Sequence, residues 1–294
     1  MMTPGNSAVQ PLPRPSCTIV TDSSACLGRR SAETLGVRVL PIELFVGGVE
    51  VAGDDDAAAR IVDAALARGE PVKSSAPSVS AYLSAIEDAP TEDVIVLTPA
   101  REFTAMTANA VLAATLTDKR VHVIDTRTAS GPQGLIAARC ARMARDGAPV
   151  DEVVTAAATA TGHAELVAAL AHLDVLRASG RIEAGALAFA EHLGVRPVFR
   201  LHDGRVERLG LPTSEEAALR RIRTEAFRLG FRPGCDAMLL HLGSLELAER
   251  LGRQLGCEAP ISTFSPAIAA HAGRELVGLA WLGEGPRSGH DASG

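Results

Sequence analysis

Polar residues gather at a few points along this chain, and each point invites a chemical reading. Thr21-Asp22-Ser23-Ser24 follows a short apolar run, where side-chain oxygens either orient a ligand or cap the next helix; composition alone favours capping. Lys73-Ser74-Ser75-Ala76-Pro77-Ser78 sets hydroxyls and backbone amides ahead of a helix start. That arrangement holds an anion through oriented donors and the helix dipole, or it is simply a capped loop. Val123-Ile124-Asp125-Thr126, with Ser130 and Gly134 beyond, is another polar strand end, in which Asp125 is either a ligand group or a cap. Arg177 and Arg181 surround Ser179-Gly180 and face either an acid or solvent, with solvent favoured. His271 lies in Ala269-Ala270-His271-Ala272-Gly273, which reads as a small-residue loop where a histidine is more often a hydrogen-bonded core residue than a catalyst.

These groups must be positioned by elements, and the apolar pattern shows which ones. Short runs rich in β-branched residues alternate with Ala-rich stretches of helical period, the signature of βαβ units and a mainly parallel sheet. Strands are expected at Thr18–Thr21, Val37–Phe45, Val94–Leu97 and Val121–Ile124. Helices are expected at Ala25–Leu35, Asp56–Arg68, Val79–Asp88 after a Ser78 cap, Phe103–Thr115 and Gly134–Arg145. A helix from Val150 and a strand at Glu165–Leu170 follow. The character of the chain then changes: Val198–Leu201 and Arg205–Leu209 flank the hairpin signal His202-Asp203-Gly204. Helices Glu215–Leu229 and Leu245–Leu255 enclose a strand at Ala237–His241, and strands Ile261–Ser265 and Leu276–Trp281 close the fold.

Composition narrows the chemistry. With 47% hydrophobic but only 3% aromatic residues among 294, Ala, Val and Leu must fill the interior, which suits smooth aliphatic walls. A net charge of −6 argues against nucleic acid or an anionic membrane as partner. The mixed charges of Arg220-Arg221-Ile222-Arg223 with Glu215, Glu216 and Glu225 read as a solvated helix face. Cys17, Cys26, Cys140, Cys235 and Cys257 are odd in number and contain no CxxC pair, so they read as structural thiols of a reducing cytoplasm. Met1–Ser16 has no secretory apolar stretch, and Val153–Ala171 is too polar to span a bilayer. No nucleophile elbow, Walker loop, dinucleotide fingerprint or HExxH motif occurs.

Taken in order, the polar loops resemble the DegV family of fatty-acid-binding proteins from Thr18 to Leu282. Thr21-Asp22-Ser23-Ser24 is similar to its TDSS opening, Ser74-Ser75-Ala76-Pro77-Ser78 to its TSxPS loop, and Val123–Thr126 with Ser130 and Gly134 to its VIDS…S…G loop. Leu176–Ile182 resembles LRKGGRI, and Ala270-His271-Ala272-Gly273 with Gly278-Leu279 resembles the closing AHTGPGALGL stretch. The resemblance implies a two-domain α/β fold, with a mainly parallel sheet in residues 17–161 and a mixed α/β domain in 162–284. Residues 1–16 and 285–294 are left as tails. A lipid tunnel is expected between the domains.

In that family the carboxylate is held by the TSxPS hydroxyl, a Ser of an SSGLSGT loop and the closing His. The expected ligand-binding set here is Ser74, Ser75, Thr98, Glu102, Thr104, Asp125, Ser130, Arg177 and His271, with no catalytic residue, metal or cofactor. A long-chain fatty acid or similar lipid is the implied ligand, and a fatty acid kinase the implied partner. Two alternatives stand beside this carrier: an enzyme using Glu102, Asp125 and His271, and a regulatory domain with an altered lipid site.

Three departures stand out. Glu102 aligns on the carboxylate-binding Ser, Pro212-Thr213 stands where many members carry Ala-Arg, and Arg274-Glu275 replaces Pro-Gly. Two carboxylates about 4 Å apart repel by roughly 4 kcal/mol at an effective dielectric near 20, more than one good hydrogen bond returns. Glu102 is therefore expected to hold a proton, to turn to an Arg such as Arg101 or Arg177, or to meet a neutral or cationic head group. Free fatty acids are then expected to bind more weakly than to serine-bearing members, increasingly so as pH rises, and Glu102→Ser to tighten binding and flatten its pH dependence.

Overall fold

The computed structural model describes residues 14–52, 56–171 and 195–283. The chain runs β1 (Thr18–Asp22), α1 (Arg29–Leu35), β2 (Arg38–Leu40), β3 (Glu43–Val46), β4 (Val49–Val51), α2 (Asp56–Ala67), β5 (Val72–Ser75) and α3 (Val79–Glu87). It continues through β6 (Asp93–Thr98), α4 (Met106–Ala114), β7 (Arg120–Asp125), α5 (Gly131–Arg145), α6 (Val150–Thr161) and β8 (Ala164–Leu170). The remaining elements are β9 (Val198–His202), β10 (Arg205–Gly210), α7 (Glu215–Arg228), β11 (Ala237–Leu242), α8 (Leu245–Leu255), β12 (Ile261–Thr263), α9 (Pro266–Ala272) and β13 (Leu276–Leu282).

Strands β2-β1-β6-β7 form a parallel sheet, and β10-β9-β8-β13-β11-β12 form a six-stranded mixed sheet. The sequence of β1 and β6, apolar on successive residues, follows from burial on both faces. Ile19, Ile95 and Leu97 pack with α5 and α6 on one side, while Val20, Val94 and Val96 pack with α3 and α4 on the other. The six-stranded sheet is covered on one face by α7 and α8, against Val167, Leu239, Leu279 and Trp281.

Helix α5 joins the two sheets. A Cβ on Gly131 would lie 2.6 Å from Ala280 Cβ, and one on Gly134 would lie 2.2 Å from the Ala25 carbonyl oxygen. Only a bare backbone fits there.

The structure corrects several boundaries. The expected strand Val37–Phe45 is two strands: Pro41, which has no N–H, ends β2, and the chain crosses into an antiparallel sheet, β4-β3-β5. That sheet makes Val72–Ser75 a strand rather than a loop. The expected helix Ala25–Leu35 begins only at Arg29, because Cys26 is left-handed at φ 55° after a short turn at Ser23–Ala25. Helix α4 starts three residues later than expected, and α5 starts three residues earlier, with Pro132 in its first turn. His271 lies in the last turn of α9, not in a loop: Ser265, expected to end a strand, caps this helix by accepting from Ile268 N. The hairpin forms where Asp203-Gly204 signals it, and both turn residues have positive φ, 49° and 70°. Among the described residues no helix is long and apolar enough to cross a membrane.

Candidate functional site

A cavity of about 500 Å³ lies between the ends of the parallel strands and the second face of the six-stranded sheet, a size usual for small-molecule sites. Strand alternation builds its apolar wall: Leu166, Ala168 and Leu170 of β8 line it, while the intervening Val167 and Ala169 pack with α7 and α8. Leu166 pairs with Leu201 and Ala168 with Phe199, so β9 extends the same wall. Opposite stand Pro99 after β6, Ala129 and Ser130 after β7, and Ile42, which Pro41 delivers at the start of the antiparallel sheet.

Besides Thr104 and Arg200, the polar groups in this lining form two sets. In the first, Ser74 Oγ and His271 Nε2 are 2.7 Å apart, joined across β5 and α9 although 197 residues separate them. The loop after His271 is tied down by Arg274, whose guanidinium meets the Asp63 carboxylate of α2 at 2.6 and 3.1 Å. This departure from the family pattern thus anchors α9 to α2.

The second set is Ser24 and Ser130, backed by a buried network. Asp22, with no exposed surface, accepts from Ser24 N at 2.9 Å, from the Ser24 hydroxyl, and from Gln133 Nε2 at 2.8 Å. Burial raises the Asp22 carboxyl above its ordinary range, against the lowering effect of the hydrogen bonds from Ser24 and Gln133. The Cys26 thiol lies 3.4 Å from Ser130 Oγ and is pushed up to about 11, chiefly by burial, so it stays protonated at neutral pH and is a poor nucleophile.

Of the residues expected at the site, Ser74, Thr104, Ser130 and His271 line the cavity. Ser75, Thr98, Glu102 and Asp125 are not brought to it. Ser75 follows Ser74 on β5 and therefore points to the other face of that strand. Thr98 is fully buried, its hydroxyl 2.9 Å from that of Thr107. Asp125 receives the Arg101 guanidinium at 2.6 Å and the Arg127 N–H at 2.9 Å. Glu102 Oε1 lies 3.3 Å from Arg127 Nη1, so among the described residues Glu102 turns to Arg127 rather than to Arg101. Arg177 lies outside the described residues.

Of the trio Glu102, Asp125 and His271, only His271 lines the cavity. Among the described residues no group of His, Cys, Asp or Glu could hold a metal ion. Gln133 and Ile42 were missed; Gln133 follows a strand-end serine by three residues, but nothing local in the sequence marks its turn toward Asp22.

A family model described as an uncharacterised protein of the DegV family matches residues 16–284. A DegV domain-containing protein of Streptomyces coelicolor is 30% identical over 271 residues, covering 89% of this chain and 96% of that protein. In fold, the chain matches a DegV family protein from Thermus thermophilus, a structure described by its fatty acid binding, with a TM-score of 0.81. Identity there is 24%, over 91% of this chain and 99% of the other. A DegV family protein from Eubacterium eligens, loaded with heptadecanoic acid, matches with a TM-score of 0.78 at 19% identity, over 91% and 100% of the two chains.

Proposed function

Because the chain belongs to the DegV family, we propose that it binds a long-chain fatty acid or a related lipid in this cavity and performs no covalent chemistry on it. The observation that carries this reading is the Ser74–His271 pair, 2.7 Å apart, set in an otherwise largely aliphatic lining. The pair supplies donors for an acidic head group, and the walls supply apolar surface for a tail. Burying about 14 methylenes at ~0.8 kcal/mol each is worth roughly 11 kcal/mol before the costs of association, so affinity comes mainly from the tail. In this reading the acyl chain lies between the parts 17–161 and 162–284, in a cytoplasmic carrier that presents its carboxylate to a fatty acid kinase.

Mass spectrometry of organic extracts from the purified protein tests the reading: one fatty acyl ligand per chain is expected, and a protein that neither carries nor takes up palmitate would refute it. A blocking substitution gives a second check. Ala168 stands in mid-wall, and Ala168→Trp would push an indole into the space of the tail. Displacing only two methylenes lowers affinity about tenfold, so palmitate binding is expected to weaken by at least that factor. Unchanged affinity in this variant would place the tail elsewhere.

A further inference from the structure

The β9–β10 hairpin forms part of the cavity wall through Phe199, Leu201 and Val206, and β10 is the outer strand of its sheet, bonded to β9 alone. The facing wall is built by the loops after β6 and β7. The Arg127 side chain spans the seam between them. Arg127 donates from Nε to the Asp203 carboxylate and from Nη2 to the Asp203 carbonyl at 3.1 Å, while its Nη1 lies 3.3 Å from Glu102 Oε1. Its own carbonyl accepts from Gly204 N at 2.6 Å.

Several details show that the contact is specified. Arg127, Asp203 and Gly204 all hold positive φ, 50°, 49° and 70°, and Asp125 fixes the Arg127 amide. A Cβ on Gly204 would lie 2.6 Å from Glu102 Oε2, so any side chain there would push the Glu102 carboxylate aside. Yet the side chains of Arg127, Glu102 and Asp203 are 36%, 39% and 57% exposed, and ion pairs so exposed are individually weak. A fastening that is specified in geometry and weak in energy opens readily and closes in register.

We propose that Glu102, Arg127 and Asp203 form a latch across the mouth of the cavity, and that lipid passes when the hairpin tip lifts from the loops after β6 and β7. This rests on the lipid-binding reading, and it gives Glu102 a kinetic role in place of a contact with the ligand's acid.

The test compares the delipidated protein with Arg127→Gly, which preserves the positive φ, and with Asp203→Asn. Stopped-flow uptake of a fluorescent palmitate, and its release to albumin, are both expected to quicken about two- to fivefold in the variants, with the dissociation constant held within about 1.5-fold. Raising salt to about 0.5 M is expected to speed the parent protein but not Arg127→Gly. Hydrogen exchange at residues 198–210, read without ligand, is expected to rise in both variants. Equal rates, or a large change in the dissociation constant without faster exchange, would overturn the latch. Should the parent bind no palmitate, the lipid reading falls, while the exchange result still decides whether these residues hold the hairpin down.

Discussion

Replacing His271 with alanine is expected to weaken the binding of an acidic lipid about ten- to a hundredfold, because a hydrogen bond to a charged group is worth roughly 1.5–3 kcal/mol. His271 and Ser74 stand 2.7 Å apart on separate elements, so a carboxylate near the pair meets both a hydroxyl and an imidazole. Ser74→Ala removes the other donor of the pair and should weaken binding as well. Neither change should unfold the protein: His271 closes a helix whose start is capped by Ser265 and whose end is anchored by Arg274 on Asp63. The measurement is a palmitate titration of delipidated parent and variants, with thermal unfolding run beside it. Unchanged affinity in His271→Ala would remove the histidine from the site.

The other large effect concerns folding. Gly134→Ala is expected to destabilise the protein by about 2–3 kcal/mol, although alanine is favoured over glycine in a helix by about 1 kcal/mol. The added methyl would lie 2.2 Å from the Ala25 carbonyl oxygen, a backbone atom that cannot rotate away. Either α5 or the turn at Ser23–Ala25 must then shift, and both adjoin the Asp22 network. Gly162→Ala is the control. Gly162 has φ −69°, and its nearest contact to a new Cβ is 3.7 Å, so alanine there should be neutral or stabilising by about 0.4–1 kcal/mol. Urea midpoints of the two variants check this; equal stability would mean that α5 has room to move.

Much of the parallel sheet could be read from the chain because β1 and β6 are buried on both faces, β6 as an uninterrupted apolar run between polar ends and β1 as a β-branched Thr-Ile-Val-Thr stretch. The β9–β10 hairpin was equally legible, since Asp203-Gly204 suits a two-residue turn. The antiparallel sheet β4-β3-β5 was not. Its strands are three or four residues long, and Pro41 lies inside what looks like one continuous run. Helix α9 was hidden for a different reason: in Pro266–Ala272 the residues are mostly small, so no helical stripe stands out, and only the Ser265 cap betrays it.

At the site, Ser74, Thr104, Ser130 and His271 were legible because strand-end hydroxyls and a closing histidine recur in order. The direction of Glu102 was not, because it depends on Arg127, whose other partner, Asp203, is 76 residues away. A motif locates a residue along a strand end. Which way the side chain turns is decided by charges that the local sequence does not contain.

An aliphatic cavity of about 500 Å³ also has a mechanical consequence. Any part of it that stays dry without lipid is void that unfolding eliminates, so hydrostatic pressure should act on the delipidated protein more strongly than on the loaded one. An acyl chain would then stiffen the molecule as well as ride in it, replacing compressible space with close-packed methylenes. Cargo and scaffold would share one set of van der Waals contacts, and a lipid that fits poorly would leave the protein softer as well as less occupied.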